Sequence, residues 1–236
     1  MTTTKKPQTL RGKVALWASI LVVFVVAILL VMLLVKPSGQ DQPSIPVAVE
    51  TPKEEGGCNV PAGDTSTKPA MPKDLRWEAE KGWTWPVSDT YGPTKTKDGY
   101  GVCFARSPLG AALAMTEFYS SANTQDPRKA MDLYVMDSSG KSVAMSKPST
   151  SGNTSNEVGP MAFAGFITDS FTKDEAQVTM VFALAGSPTG YVGLPSTLRW
   201  VDGDWKLKVL DDGSTFAGVG SKPAAGQFVS WGNANG

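Results

Sequence analysis

An α+β domain carried on the outer side of a membrane by one helix is the architecture that this 236-residue sequence predicts. Three features predict it. Residues Val14–Val35 run without a charged side chain, a capped helix signal starts at Ser107, and the last third alternates apolar and polar residues at the period of strands joined by short turns. Helices followed by a meander point to helices packed in the concavity of one curved antiparallel sheet.

The apolar run VALWASILVVFVVAILLVMLLV makes a helix of about 33 Å at ~1.5 Å per residue, enough to cross a hydrocarbon core of roughly 30 Å. A secretory signal also starts with a basic region, but its apolar stretch is about 7–15 residues and ends in a small-x-small cleavage site. Here the run is longer and KPSGQDQ follows it, so an uncleaved anchor is expected. Nor does Cys58 follow the run closely, as a lipid-modified cysteine would. Lys5, Lys6, Arg11 and Lys13 precede the helix with no acidic residue. That bias keeps residues 1–13 in the cytoplasm, spans the cell membrane once with 14–35, and leaves the rest extracytoplasmic.

Residues 36–75 are rich in proline, glycine, serine and acidic side chains and nearly free of large apolar ones, so they read as an extended linker. Cys58 and Cys103 are the chain's two cysteines. On the oxidising side they allow one intramolecular disulfide bond, and closing a loop of about 45 residues would contribute roughly 4 kcal/mol in the chain-entropy description. Two free thiols or an intermolecular link are the alternatives. Without a C-x-x-C pair, a catalytic dithiol is not expected.

The folded body is expected over 76–215. It opens on LRWEAEKGWTWPVSDTYGPTK, which brings Trp77, Trp83, Trp85 and Tyr91 close together. Such aromatics can line a carbohydrate platform or pack as a lid on a sheet, and Pro86, Gly92 and Pro93 punctuate the segment as turns, which favours packing. Ser107 then caps a helix with Pro108 at its first position and Leu109, Leu113 and Phe118 on an apolar stripe. A second short helix is expected over DPRKAMDLYVMD with Asp126 as its cap, whereas SSGKSVAMSKPSTSGNTSNEVG reads as a mobile loop. MAFAGFITDSF, EAQVTMVFALAG, GLPSTLRWVDG and DWKLKVLDD read as strands, and Asp202-Gly203 between the last two is a strong hairpin signal. In that hairpin Leu198, Trp200, Trp205, Leu207 and Val209 are expected on a covered face, with Arg199, Lys206 and Lys208 in water. A flexible glycine-rich tail, 216–236, closes the chain, with Phe228 and Trp231 as a hook that docks on the domain or on a partner.

Composition removes several functions. The chain has no histidine, which excludes Ser-His-Asp and Cys-His nucleophile pairs, imidazole zinc sites and any histidine base. Basic and acidic residues balance at 22 each, but five cations flank the apolar run, leaving 17 against 22 beyond it. Such a mildly acidic body lacks the basic field of a nucleic-acid binder. Asp132 with Tyr134, or Asp169, could in principle supply a base, yet an acidic residue on an amphipathic helix is more often a solvated one. Asp211-Asp212 is too short for a calcium loop, and the glycines after the last strand lack the order of a phosphate loop. No catalytic, cofactor-binding or metal residues are expected, and the chain does not read as an enzyme.

A helix pair followed by a meander ending in RWVDGDWKLKVL resembles the cone-shaped nuclear-transport-factor-two-like fold, in which a W-x-x-G-x-W-K hairpin near the end of the domain is frequent. With one membrane helix ahead of it, the layout resembles the bitopic inner-membrane scaffold of type IV secretion and conjugation channels. The segments GCNV, RWEAEKGW, PVSDTYGP, GVCFARSPLGAALA and FVSWG are also similar to a family of actinobacterial membrane proteins carried on integrative conjugative elements. The resemblance implies a structural subunit that contacts the membrane, other envelope-complex subunits and copies of itself. It brings no catalytic residues, and the two cysteines and the tail depart from the secretion-scaffold pattern. The alternative is a tethered module for wall glycan or lipid, with Trp77, Trp83, Trp85, Tyr91 and Trp231 as contacts; an enzyme in the cone cavity would need a buried carboxylate of raised pKa.

Overall fold

The structure is a computed structural model and describes residues 57–147, 161–184 and 187–232. They belong to the compact unit Thr51–Gly236. The apolar run 14–35, the flank 1–13 and the first part of the linker lie outside the described residues. Among the described residues no helix is long and apolar enough to cross a membrane.

Two small hairpins come first. Strands β1 (Leu75–Glu80) and β2 (Trp83–Ser88) pair antiparallel, as do β3 (Lys95–Lys97) and β4 (Tyr100–Val102). Each turns over two residues with positive φ: Lys81 and Gly82 at 49° and 83°, Asp98 and Gly99 at 54° and 86°. That is the geometry whose twist matches the flanking strands, and it demands glycine or a residue tolerant of the left-handed region. The expected Asp202-Gly203 hairpin repeats it at 53° and 77°.

Three helices follow. In α1 (Pro108–Thr124) the Ser107 side chain accepts from Gly110 N–H at 3.1 Å, and Pro108 opens the first turn. In α2 (Pro127–Tyr134) Asp126 accepts from the N–H groups of Arg128 and Lys129. Both were expected from their caps. The third, α3 (Ser139–Ser146), replaces the first part of the expected loop, because Ser138 caps it by accepting from Lys141 N–H at 3.1 Å. Residues 148–159 of that expected loop lie outside the described residues.

Strands β5 (Met161–Phe171), β6 (Glu175–Leu184), β7 (Tyr191–Val201) and β8 (Asp204–Lys208) form the expected antiparallel meander. A ninth strand, β9 (Val229–Ser230), completes a five-stranded sheet in the order β8-β7-β6-β5-β9. The mixed α+β class is therefore as predicted. Helix α1 lies against β6, β8 and β5 on one side and β2 on another, and buries residues around nearly its whole circumference. Phe104, Leu109, Leu113, Met115, Phe166, Val178, Met180, Phe182, Leu198 and Trp205 fill the space between helix and sheet. Leu198, Trp205, Leu207 and Val209 take the covered face as expected, but Trp200 is only half-buried. Lys206 is also half-buried rather than in water, because its Nζ donates to the Leu133 carbonyl at 2.8 Å; burial pulls its pKa down.

Both ends of the body are more firmly held than the composition suggested. Cys58 and Cys103 form a disulfide, and Asp74 accepts from Ser88 Oγ at 3.0 Å and Thr90 N–H at 2.7 Å. The linker thus becomes part of the domain from about Cys58 rather than at residue 76. At the other end, residues 216–232 of the expected flexible tail run back along the sheet. Ser221 exchanges backbone hydrogen bonds with Gly193, and Trp231 is buried at 4.7 Å from the Phe166 ring. A Cβ on Gly165 would stand 2.2 Å from the Val229 carbonyl, so only glycine lets β9 approach β5.

Two consequences can be measured. Replacing both Cys58 and Cys103 with serine is expected to lower the unfolding free energy by about 2–4 kcal/mol and to open residues 58–74 to limited proteolysis. Trp231→Ala is expected to cost about 3–5 kcal/mol by chemical denaturation, with accelerated amide exchange in β5 and β9.

Candidate functional site

Alternation along the β1–β2 hairpin separates its two faces. Arg76, Glu78, Glu80 and Trp85 fall on one face, and Trp77 with Thr84 on the other. The first face, together with Thr94, Lys95 and Thr96 of the β3 region, walls a polar cleft of about 800 Å³ that also reaches Glu117 of α1.

Glu117 is 5% exposed. Its Oε1 accepts from Gly101 N–H at 3.1 Å and from Ser121 Oγ at 3.2 Å, and lies 3.4 Å from Tyr134 Oη. Tyr134 itself donates to the Gly101 carbonyl at 2.8 Å. Gly101 is therefore clamped through both backbone groups, and it must be glycine because a Cβ there would meet Pro93 at 2.6 Å and Glu117 Cδ at 2.9 Å. Oε2 takes none of these hydrogen bonds, and Glu117 belongs to the lining of the cleft. Burial pushes the Glu117 carboxyl above the usual range, and the nearby Glu78 adds to the rise, against the opposing hydrogen bonds from Gly101 and Ser121. Burial, then the Glu117 charge, pushes the Tyr134 phenol far above its ordinary value, so Tyr134 stays a neutral donor.

The other charged groups of the cleft are engaged. Arg76 pairs with Glu78 at 3.5 Å and Asp89 at 3.2 Å, and Lys95 Nζ donates to the Gly57 carbonyl. Trp85 is buried against the floor, its indole N–H sealed without a hydrogen-bond partner. Among the described residues no group of three or more ligating side chains could hold a metal ion.

The five aromatics expected as contacts do not form one platform. Trp77 lines a second groove of about 390 Å³ with Phe163, Tyr191 and Phe228, and Trp83 sits 6.2 Å from the Phe163 ring. Trp85 belongs to the polar cleft. Tyr91 packs beside Gly63 of the linker, whose missing Cβ would fall 2.6 Å from the Tyr91 ring. Trp231 is core. The acid–base candidates separate as well: the Asp132 carboxylate, largely exposed, pairs with Lys141 at 3.3 Å while Tyr134 turns inward to Gly101. Asp169 accepts from Thr179 Oγ1 at 2.7 Å and is exposed. Glu117, which the sequence reading passed over, is the residue the fold singles out. Its signal was present in LGAALAMTEFYSSA, where Glu117 is the one charged residue of a helix otherwise built from apolar and small neutral side chains.

Fold and cleft together define an α+β domain with a polar cleft floored by one buried carboxylate. Residues 38–230 match the family model of a domain of unknown function, DUF8175, and the chain belongs to that family. The match includes the linker from residue 38 and ends within β9. No curated protein and no solved structure matches the chain.

Glu117→Gln keeps an acceptor for Gly101 and Ser121 while removing the buried charge. A carboxyl raised in the folded state stabilises most below its unfolded value, and that contribution is lost as pH rises through the folded value. The melting temperature of Glu117→Gln minus that of the parent should therefore increase as pH rises above the ordinary carboxylate range, and level off once the folded carboxyl has ionised. A difference that falls over this range would contradict the assignment.

Proposed function

We propose that the protein is a single-pass, membrane-anchored, extracytoplasmic structural subunit of a conjugation- or secretion-type envelope complex, acting through protein–protein contacts. The observation that carries this reading is the filled interior. Large side chains occupy the space between α1 and the sheet, so recognition falls to the surface rather than to an internal cavity. Two further features agree with it. The disulfide suits an oxidising compartment, and the uncharged run Val14–Val35 is long enough for a membrane helix. A nuclear-transport-factor-two-like cone belongs to the same proposal, supported by helices followed by a meander whose last hairpin carries W-x-x-G-x-W-K.

A second reading, a tethered module for wall glycan or lipid, draws on one specific feature: the groove in which Trp77, Tyr191 and Phe228 present aromatic faces, with Tyr191 and Phe228 5.0 Å apart. The two readings differ in outcome. Crosslinking in native membranes should trap discrete adducts with other subunits or with a second copy, and deletion should impair DNA transfer or protein export. A protein that stays solitary under crosslinking, with transfer and export intact on deletion, would overturn the subunit reading. A rise in melting temperature with wall fragments that Trp77→Ala abolishes would favour the module.

A further inference from the structure

We propose that a second copy of this chain docks on the face of the sheet opposite α1, with Asp169 of each copy paired to Lys208 of the other. This rests on the subunit reading and gives it a surface for self-contact.

That face is only partly covered. Alternation along the paired strands turns Gln177, Thr197 and Lys208 away from the core, in one rung that continues to Ser170 of β5. Beyond the end of β8, the following chain bonds to β7 instead. Ser196 Oγ donates to the Thr215 carbonyl at 2.8 Å, and Ser221 exchanges backbone hydrogen bonds with Gly193 at 2.8 and 2.9 Å. Between this segment and the rung lies a groove of about 590 Å³, with Asp169 and Lys208 in its lining.

The groove is apolar where it is not charged. Ile167, Pro195, Leu210, Phe216 and Val219 line it. Val219 is 96% exposed and Leu210 39%. Helix α3 packs so closely on residue 210 that a Cβ on Gly140 would stand 2.1 Å from the Leu210 carbonyl, and its Val143 is 37% exposed. Three of the four large apolar side chains exposed among the described residues therefore belong to this groove or to the helix against it. Scattered apolar side chains on a surface are ordinary, whereas a gathered patch marks an interaction site. Val219 is also held in place. A Cβ on the next residue, Gly220, would stand 3.0 Å from Val192, and Ser221 is fixed to Gly193.

Charge selects the occupant. Asp169 accepts from Thr179 Oγ1, but among the described residues it pairs with no cation, and Lys208 pairs with no carboxylate. They sit three strand spacings apart, roughly 14 Å at ~4.8 Å per strand. A two-fold axis along the strands, between β6 and β7, turns this face onto itself and sets each Asp169 over the Lys208 of the other copy. One charge of each sign, a groove and a projecting apolar side chain on the same face complement themselves. A partner surface of a single sign would leave Asp169 or Lys208 unmatched.

The test uses the full chain in detergent, with mass measured by light scattering over a concentration series. A reversible dimer is expected. Asp169→Lys and Lys208→Asp should each raise its dissociation constant about tenfold or more, and the two reversals together should restore it. Val219→Asp should weaken the dimer without lowering the melting temperature. If Asp169→Lys melts early through loss of its bond to Thr179, Lys208→Asp and Val219→Asp carry the test. A monomer at every concentration overturns the proposal, as does a dimer that none of these variants weakens, the result expected of association through the membrane helix alone. Weakening by each reversal without restoration in the double variant overturns the pairing of Asp169 with Lys208. A monomer in detergent leaves crosslinks to other subunits in native membranes untouched, so failure here and failure of the subunit reading are distinguishable.

Discussion

The carboxylate of Asp204 holds the junction on which the rest of the domain is assembled. It lies at the start of β8, buried, and accepts from Cys103 N–H at 2.9 Å, Phe104 N–H at 3.0 Å and Trp205 N–H at 3.0 Å. The neighbouring Trp205 indole donates to the Ala105 carbonyl at 2.9 Å. Two consecutive residues of the sheet thus fix residues 103–105, where β4 ends and α1 is about to begin. Cys103 sits at φ 70°, a conformation that costs a residue with a side chain roughly 1–3 kcal/mol and persists only when its surroundings over-determine it. Asp204 supplies that determination on one side and the disulfide on the other. Burial pushes the Asp204 carboxyl up, but the backbone donors and Lys206 oppose the rise. Two residues on, Ser107 caps α1, and Gly110 passes so close to the Ala105 carbonyl that a Cβ would stand 2.0 Å away.

Two carboxylates, Asp204 and Glu117, are buried among the described residues. Asp204 uses both oxygens, Oδ1 toward Phe104 and Trp205 and Oδ2 toward Cys103, so its hydrogen-bonding capacity serves the fold. Glu117 performs the same task with one oxygen, clamping Gly101 of β4 onto α1. A glutamine would fulfil the architectural half of the Glu117 role without the desolvation of a charge. The charge itself is what the fold does not need.

Much of this was legible in the chain because periodicity and caps act locally. Strands β5 to β8, the starts of α1 and α2 and the Asp202-Gly203 turn all follow from residues within a few positions of one another. The failures are of another kind. Asp98-Gly99 carries the same turn chemistry, but Lys95–Lys97 is polar and exposed, so alternation gave no strand to attach it to. Helix α3 is a short mix of serine, glycine and a few apolar residues, and its Ser138 cap is what distinguishes it from a loop. Strand β9 exists because Gly165, more than sixty positions earlier, leaves room for it. Glu117 went unnoticed because one apolar stripe was expected on α1, whereas packing on two sides removes its polar face. Tertiary contacts decide β9 and the burial of Glu117, and local pattern does not encode them.

The attachment of the linker brings these threads together. The Gly57 carbonyl is held by Lys95 of β3, and Cys58 is bonded to Cys103 just beyond β4. The hairpin that receives the linker is therefore also a wall of the cleft. From Cys103 the connection passes through Asp204 into β8, and from Gly101 through Glu117 and Tyr134 into α1 and α2. Packed, hydrogen-bonded elements of this kind transmit displacement rather than absorb it. The disulfide and the Asp204 carboxylate therefore act on one junction, so what loosens either loosens the start of α1 as well.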